Sequence, residues 1–186
     1  MTTTERTTCP VCEPDGPHGP ACSLADKQAI HEIVLRYCRG VDRLDLELVR
    51  SCYHPDGVDH HTGFSGVRDD YIAWIGEGLP RFAGTMHLVA NHLIELDGDT
   101  AYGEAYGNAH HWGEPLDDPR RNFTSAFRYV DRYERRDGEW RIAERFAVRE
   151  WTRAIPAAAV MAKEGEGPSP RRDHGDPIYA IRQASV

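Results

Sequence analysis

Several common signals are missing from this 186-residue chain. It has no run of about 18 apolar residues and no basic-then-apolar opening, so neither a membrane-spanning helix nor an export signal is expected, and we expect a cytoplasmic protein without a membrane partner. It has no basic excess either. The formal net charge is −8 and the arginines are scattered among acids, which argues against a nucleic-acid partner. Neither G-x-S-x-G nor G-x-G-x-x-G occurs, so acyl-enzyme and dinucleotide chemistry have no foothold and no cofactor is expected. Internal repeats and low-complexity blocks are also lacking.

The five cysteines are too few and too uneven for a disulfide framework. Cys38 and Cys52 fall on apolar faces of predicted helices, where cysteine behaves as a small hydrophobe. Cys9, Cys12 and Cys22, with His18 between them, have zinc-ligand chemistry, but their spacing is compressed and rich in Pro and Gly, and no metal is expected. The length suits one domain. We expect a flexible leader over residues 1–22, a folded domain over 23–156, and a tail over 157–186 that is either disordered or a strap across a neighbour.

From Ala25 to Asp42, apolar residues recur at Ile30, Ile33, Val34, Tyr37, Cys38 and Val41, the one-face spacing of a helix that must bury that face. Ser23 or Asp26 can cap it, and Gly40 loosens its last turn, leaving Asp42 at the edge of whatever the helix covers. A shorter helix follows through Leu44, Leu48, Val49 and Cys52, ending at His54-Pro55-Asp56-Gly57. Val58 to His61 suits a short strand, and Val67 to Phe82 a third helix. The period then changes to two. Thr85–Leu96 and Thr100–Trp112 flank Asp97-Gly98, and Phe123–Arg135 and Trp140–Trp151 flank Asp137-Gly138. Helices first and strands after give an α+β fold, a curved antiparallel sheet wrapped around three N-terminal helices, with a ligand site on the concave side.

In the second long strand Tyr102, Glu104, Tyr106, Asn108, His110 and Trp112 alternate with alanine and glycine. This predicts that the large residues line the cavity and the small ones are pressed by neighbours. On that reading Tyr106 and Asn108 orient substrate and His110 is an acid or base. Tyr37 can donate a proton or merely pack at the rim, and Tyr129, Arg149 and Trp151 are further substrate contacts. Arg145 can hold an enolate oxygen, or else sit in an ion pair with Glu104 or Asp131. His54, His60 and His61 read as solvated surface histidines. A histidine near its ordinary pKa of about 6.5 is a usable base, and a carboxylate behind it fixes its tautomer. His87 and Asp42 could supply that pair, or be a hydrogen-bonded core residue and a helix-end cap.

Ala29-Ile30, Tyr37, Gly40-Val41-Asp42, Met86-His87-Leu88-Val89-Ala90-Asn91 and Tyr133-Glu134-Arg135-Arg136-Asp137-Gly138-Glu139-Trp140 together resemble the SnoaL-like branch of the nuclear transport factor 2-like superfamily, over roughly residues 25 to 155. The resemblance implies a cone-shaped α+β barrel. Within the superfamily the pattern is similar to scytalone dehydratase, bile acid 7α-dehydratase and hexachlorocyclohexane dehydrochlorinase, which use a His–Asp dyad for proton abstraction and elimination. It implies that Asp42 and His87 are this dyad, with Tyr37 and Arg145 completing the set, in a homo-oligomeric dimer or trimer. The expectation is thus a cofactor-independent lyase of dehydratase type acting on a small, largely apolar substrate. The alternatives are a polyketide cyclase or isomerase with the same first step, or a non-catalytic binding or assembly subunit. An Asp42–His87 hydrogen bond with the other ring nitrogen facing an enclosed space would favour catalysis, and a filled or flat cavity would favour assembly.

Overall fold

The computed structural model describes residues 20–155 and 171–183, with the side chains of 20–22, 180, 182 and 183 left aside. The Cys9, Cys12, His18 and Cys22 set, the leader through residue 19 and the tail segment 156–170 lie outside this description. Among the described residues no helix is long and apolar enough to cross a membrane.

Helix α1 (Pro20–Arg43) carries the expected apolar stripe, and all six residues of it are buried. Asp26 does not cap the helix: its carboxylate accepts from the Trp140 indole N–H at 2.8 Å and from Arg135, pinning α1 to the far end of the sheet. Gly40 does not loosen α1 either. A Cβ there would lie 2.6 Å from Cγ2 of Val49, so glycine is what lets α2 (Leu46–Ser51) fold back closely, after Leu44 turns the chain at a φ of 55°. Asp45 caps α2 through the Leu48 amide at 3.0 Å. Strand β1 (Tyr53–His61) begins before the expected turn, because Pro55 to Gly57 bulge out of a strand that resumes at Val58. It pairs with the short β2 (Phe64–Val67). Helix α3 (Arg68–Gly78) is shorter than expected, since Pro80 lacks an N–H to continue it and the chain tightens into a 3₁₀ turn at Leu79–Arg81.

Strands β3 (Gly84–Asp97), β4 (Thr100–Trp112), β5 (Phe123–Arg136) and β6 (Glu139–Ala154) form the two long hairpins. The six-stranded sheet runs β2-β1-β6-β5-β4-β3. It remains open, and it is mixed rather than wholly antiparallel because β1 joins β6 in parallel. The helices fill its concave side.

The parity of β4 is opposite to that expected. Ala101, Gly103, Ala105, Gly107 and Ala109 face the helices and are buried, while Tyr102, Tyr106 and Asn108 are exposed on the convex face. The reason is ring packing across the small residues. A Cβ on Gly107 would lie 2.5 Å from Cζ of Phe127, and one on Gly103 would lie 2.9 Å from a Tyr133 ring carbon. The small face is indeed closely pressed, but from inside.

Beyond the described gap, residues 171–183 return to their own chain, ending in α4 (Pro177–Gln183). Tyr179 donates to Asp45 at 2.9 Å and Arg43 pairs with Asp176 at 3.1 Å. Cys38 and Cys52 are free and buried, and burial lifts their thiols to about 12 and about 11, so neither is a nucleophile at neutral pH.

Candidate active site

Between α1, α3 and the concave sheet face lies a cavity of about 810 Å³ that is partly open to solvent. The last turn of α1 places Asp42 behind its wall, where Thr85 and the cavity-lining His87 of β3 meet the carboxylate. His87 Nδ1 lies 2.7 Å from Asp42 Oδ1, the His87 amide donates to Oδ2 at 2.9 Å, and the Thr85 hydroxyl donates to Oδ1 at 3.0 Å. With Nδ1 assigned as the donor, Nε2 carries the free lone pair. It has no partner among the described residues, and His87 lines the cavity. Only 8% of the His87 side chain and 11% of Asp42 remain exposed, so the pair is shielded from bulk water. From behind, the Arg172 guanidinium donates to the carbonyls of Leu79 and Phe82 and reaches the Asp42 carbonyl at 3.4 Å, tying the C-terminal segment to the turn that carries the carboxylate.

A second histidine–carboxylate pair faces the same cavity. Asp59 is wholly buried on β1, accepts from the Tyr53 hydroxyl at 2.6 Å and is hydrogen-bonded to His61 Nδ1. The His61 ring stacks on Tyr71 at 5.0 Å and lines the cavity. His61 is therefore no solvated surface residue. The signal for it was the Asp59-x-His61 spacing, which puts both side chains on one strand face. His60, at the intervening position, does face outward against Phe146, and His54 is buried against the Glu134 carbonyl at 2.8 Å.

Tyr37 lines the cavity, and its hydroxyl is hydrogen-bonded to that of Tyr71. Burial raises the Tyr37 phenol well above its ordinary value, with Asp59 adding to the effect, so it is a neutral donor. Tyr129 also lines the cavity, and so does Arg149.

Arg145 does not reach the cavity. It is fully buried, makes paired hydrogen bonds to Asp131 at 2.8 and 2.7 Å, and lies between the rings of Tyr37 at 4.3 Å and Tyr129 at 3.9 Å. The ion-pair alternative with Asp131 is the one observed, and a direct bond to a substrate oxygen is closed to it. His110 is likewise misplaced as an acid or base: it points to the convex face and bonds the Thr124 hydroxyl at 2.9 Å. Its neighbour His111 lines the cavity instead, stacked on Phe123 at 4.4 Å. Burial, then the adjacent His87, lowers His111 to about 3, which makes it a neutral imidazole. Tyr106 and Asn108 are on the convex face with His110. Trp151 is also outside, because Glu150 bulges from β6: Arg149 pairs with inward Phe127, whereas Trp151 pairs with outward Ala126.

A bent, open sheet cupped around N-terminal helices, with a polar-tipped cavity between them, defines the nuclear transport factor 2-like class of α+β protein. The comparisons identify the branch. The model of the SnoaL-like domain matches residues 23–146, and the chain belongs to that family. Among solved structures, a type 2 hexachlorocyclohexane dehydrochlorinase is 20% identical over 77% of this chain and 97% of its own, with a TM-score of 0.67. A scytalone dehydratase-like protein from Novosphingobium aromaticivorans is 21% identical over 78% and 97%, with a TM-score of 0.63. The Kfla4162 protein from Kribbella flavida is 21% identical over 70% and 95%, with a TM-score of 0.65. At these identities the likeness is one of fold. No curated protein matches the chain.

Proposed function

We propose that the protein is a lyase of dehydratase type that works through its own side chains on a small molecule with an acidic C–H beside a carbonyl. The observation that carries this reading is the 2.7 Å Asp42–His87 contact on a histidine that lines the cavity, keeps Nε2 without a partner among the described residues and has a side chain only 8% exposed. His87 Nε2 takes the proton from carbon, and Asp42 stabilises the imidazolium that results. The neutral Tyr37 phenol donates a hydrogen bond to the developing enolate oxygen. His61, entering the cycle as the imidazolium paired with Asp59, gives its Nε2 proton to the departing hydroxyl, so the C–H electron pair becomes the C=C bond and water leaves. Proton exchange with solvent returns both imidazoles to their starting states. Arg145 is a positioning residue here, setting the Tyr37 and Tyr129 rings between which it lies.

The unfilled cavity favours catalysis over a purely structural subunit. The expected homo-oligomer would use the convex sheet face, where Leu88, Leu93, Tyr102 and Phe146 are between 45% and 64% exposed.

The test is a screen of β-hydroxy ketones and polyketide-like substrates with wild type, His87→Ala, Asp42→Asn and His61→Gln side by side. Each substitution is expected to lower turnover by roughly 10²- to 10⁴-fold. Equal turnover by wild type and His87→Ala removes the lyase reading.

A further inference from the structure

The mouth of the cavity has the opposite sign to the chain. The whole chain carries a formal charge of −8. The charged residues lining the cavity, however, are Arg81, Arg120, Arg121 and Arg149 against a single carboxylate, Asp118. That carboxylate is already consumed: Arg120 grips it through Nε at 3.0 Å and Nη2 at 2.9 Å. Arg121 spends its Nη1 on the Arg81 carbonyl at 2.8 Å, which ties the β4–β5 loop to the 3₁₀ turn and fixes the rim. The loop is braced from within by buried Asn122, whose amide nitrogen donates to the carbonyls of Gly113 and Pro115 at 2.9 Å each.

Two guanidiniums are left over. Neither the Arg81 guanidinium, on the 3₁₀ turn, nor the Arg149 guanidinium, on β6, has a hydrogen-bonding or ionic partner among the described residues, yet both residues line the cavity and both are exposed, as rim residues must be. Elsewhere on the sheet Arg128 holds Glu104 and Glu150, and Arg136 holds Glu134 and Asp56. The less exposed part of the wall carries the rings of Phe82, Phe123 and Phe127, with the exposed Trp74 also on the lining.

We propose that the substrate is an organic anion, an aromatic or alicyclic body bearing a carboxylate, sulfonate or phosphate, whose charged end is held by Arg81 and Arg149 while the body lies among these rings towards His87. Unpaired guanidinium forks suit such oxygens, and exposed positive charge on the cavity lining of an acidic protein concentrates anionic ligands there. This deepens the lyase reading and rests on the same cavity being the reaction chamber.

Binding is tested without turnover, so the two ideas fail separately. A lyase for a neutral substrate would fail here, and a catalytically inert chain would still pass. Naphthalene-2-sulfonate and the neutral naphthalene-2-sulfonamide are titrated calorimetrically into the full chain, its Arg81→Gln/Arg149→Gln variant, and Arg128→Gln as a convex-face control. The sulfonate is expected to bind about tenfold tighter than the sulfonamide at low salt, with the advantage shrinking as salt is added. The double variant is expected to lose that advantage while keeping its sulfonamide affinity and its thermal midpoint, and Arg128→Gln to keep the advantage. Equal affinities in the wild type, a preference that survives the double substitution or ignores salt, or no binding of either compound overturns the proposal.

Discussion

Replacing Asp42 by Asn tests the dyad without any substrate. In the wild type the carboxylate accepts from His87 Nδ1, from the His87 amide and from Thr85, at 2.7, 2.9 and 3.0 Å. A hydrogen bond to a charged acceptor contributes about 1.5–3 kcal/mol, which is roughly a 10- to 150-fold preference for the Nδ1–H tautomer of neutral His87. More than about nine-tenths of the neutral ring should therefore present a bare Nε2 to the cavity. Asparagine has one accepting atom where aspartate has two. If its oxygen faces Nδ1 and Thr85, its NH₂ meets the His87 amide donor to donor. If it turns over, the NH₂ faces Nδ1 and drives the ring to the Nε2–H form. Either way the preference drops to that of a neutral hydrogen bond, about 0.5–1.5 kcal/mol or less. The assay is long-range ¹H–¹⁵N correlation of histidine-labelled protein at about pH 8.5, where an ordinary imidazole is neutral. His87→Gln identifies the relevant signal among the ten histidines. The wild type should show a pyrrole-type Nδ1 and a pyridine-type Nε2, and Asp42→Asn a marked move towards the other tautomer. A wild-type ring already protonated on Nε2, or a pattern unchanged by the substitution, would refute the orientation on which the mechanism stands.

Two further outcomes follow from the buried charges. Asp131→Asn leaves the Arg145 guanidinium uncompensated between two phenol rings, and urea unfolding should report a loss of about 3–5 kcal/mol; the double change Arg145→Met/Asp131→Leu should recover much of it. The second concerns His111, which stays neutral when folded down to about pH 3 but takes a proton near 6.5 once unfolded. The unfolded state thus binds more protons across that interval, so its contribution is intact above pH 6.5 and is lost as pH falls, by up to about 2 kcal/mol at pH 5. His111→Phe keeps the stack on Phe123 and should flatten the fall in stability between pH 7 and 5; an identical slope in both proteins contradicts the assignment.

Much of the architecture was legible because burial leaves a periodic trace. The α1 stripe from Ile30 to Val41 and the two hairpin turns at Asp97-Gly98 and Asp137-Gly138 are written in consecutive residues. The boundaries that moved did so for local reasons that such a pattern does not carry, the Pro55–Gly57 bulge and the Pro80 turn. The role of Gly40 was hidden because it depends on Val49, a residue of the next helix.

The site residues went astray for one physical reason. Alternation tells which side chains share a strand face, but not which face is concave; that is decided by what covers the sheet. In β4 the rings of Phe127 and Tyr133, from a different strand, lie over the glycines, so the small residues face inward and His111 takes the place expected for His110. Bulges then break parity within a strand. The register slips between Val89 and His92, putting His87 and His92 on the same inner side although they are five positions apart. The Glu150 bulge likewise separates Arg149 from Trp151. Asp42 and His87, 45 residues apart, were left open by periodicity alone and were paired through the family resemblance, which already assumes the fold that brings them within 2.7 Å. The Asp59–His61 pair, by contrast, had a local signature, two residues apart on one strand. A pair of groups joined by short-range geometry can thus be read before the fold is known, whereas a rim such as Arg81 with Arg149, assembled from a turn and a strand 68 positions apart, exists only once the chain has folded.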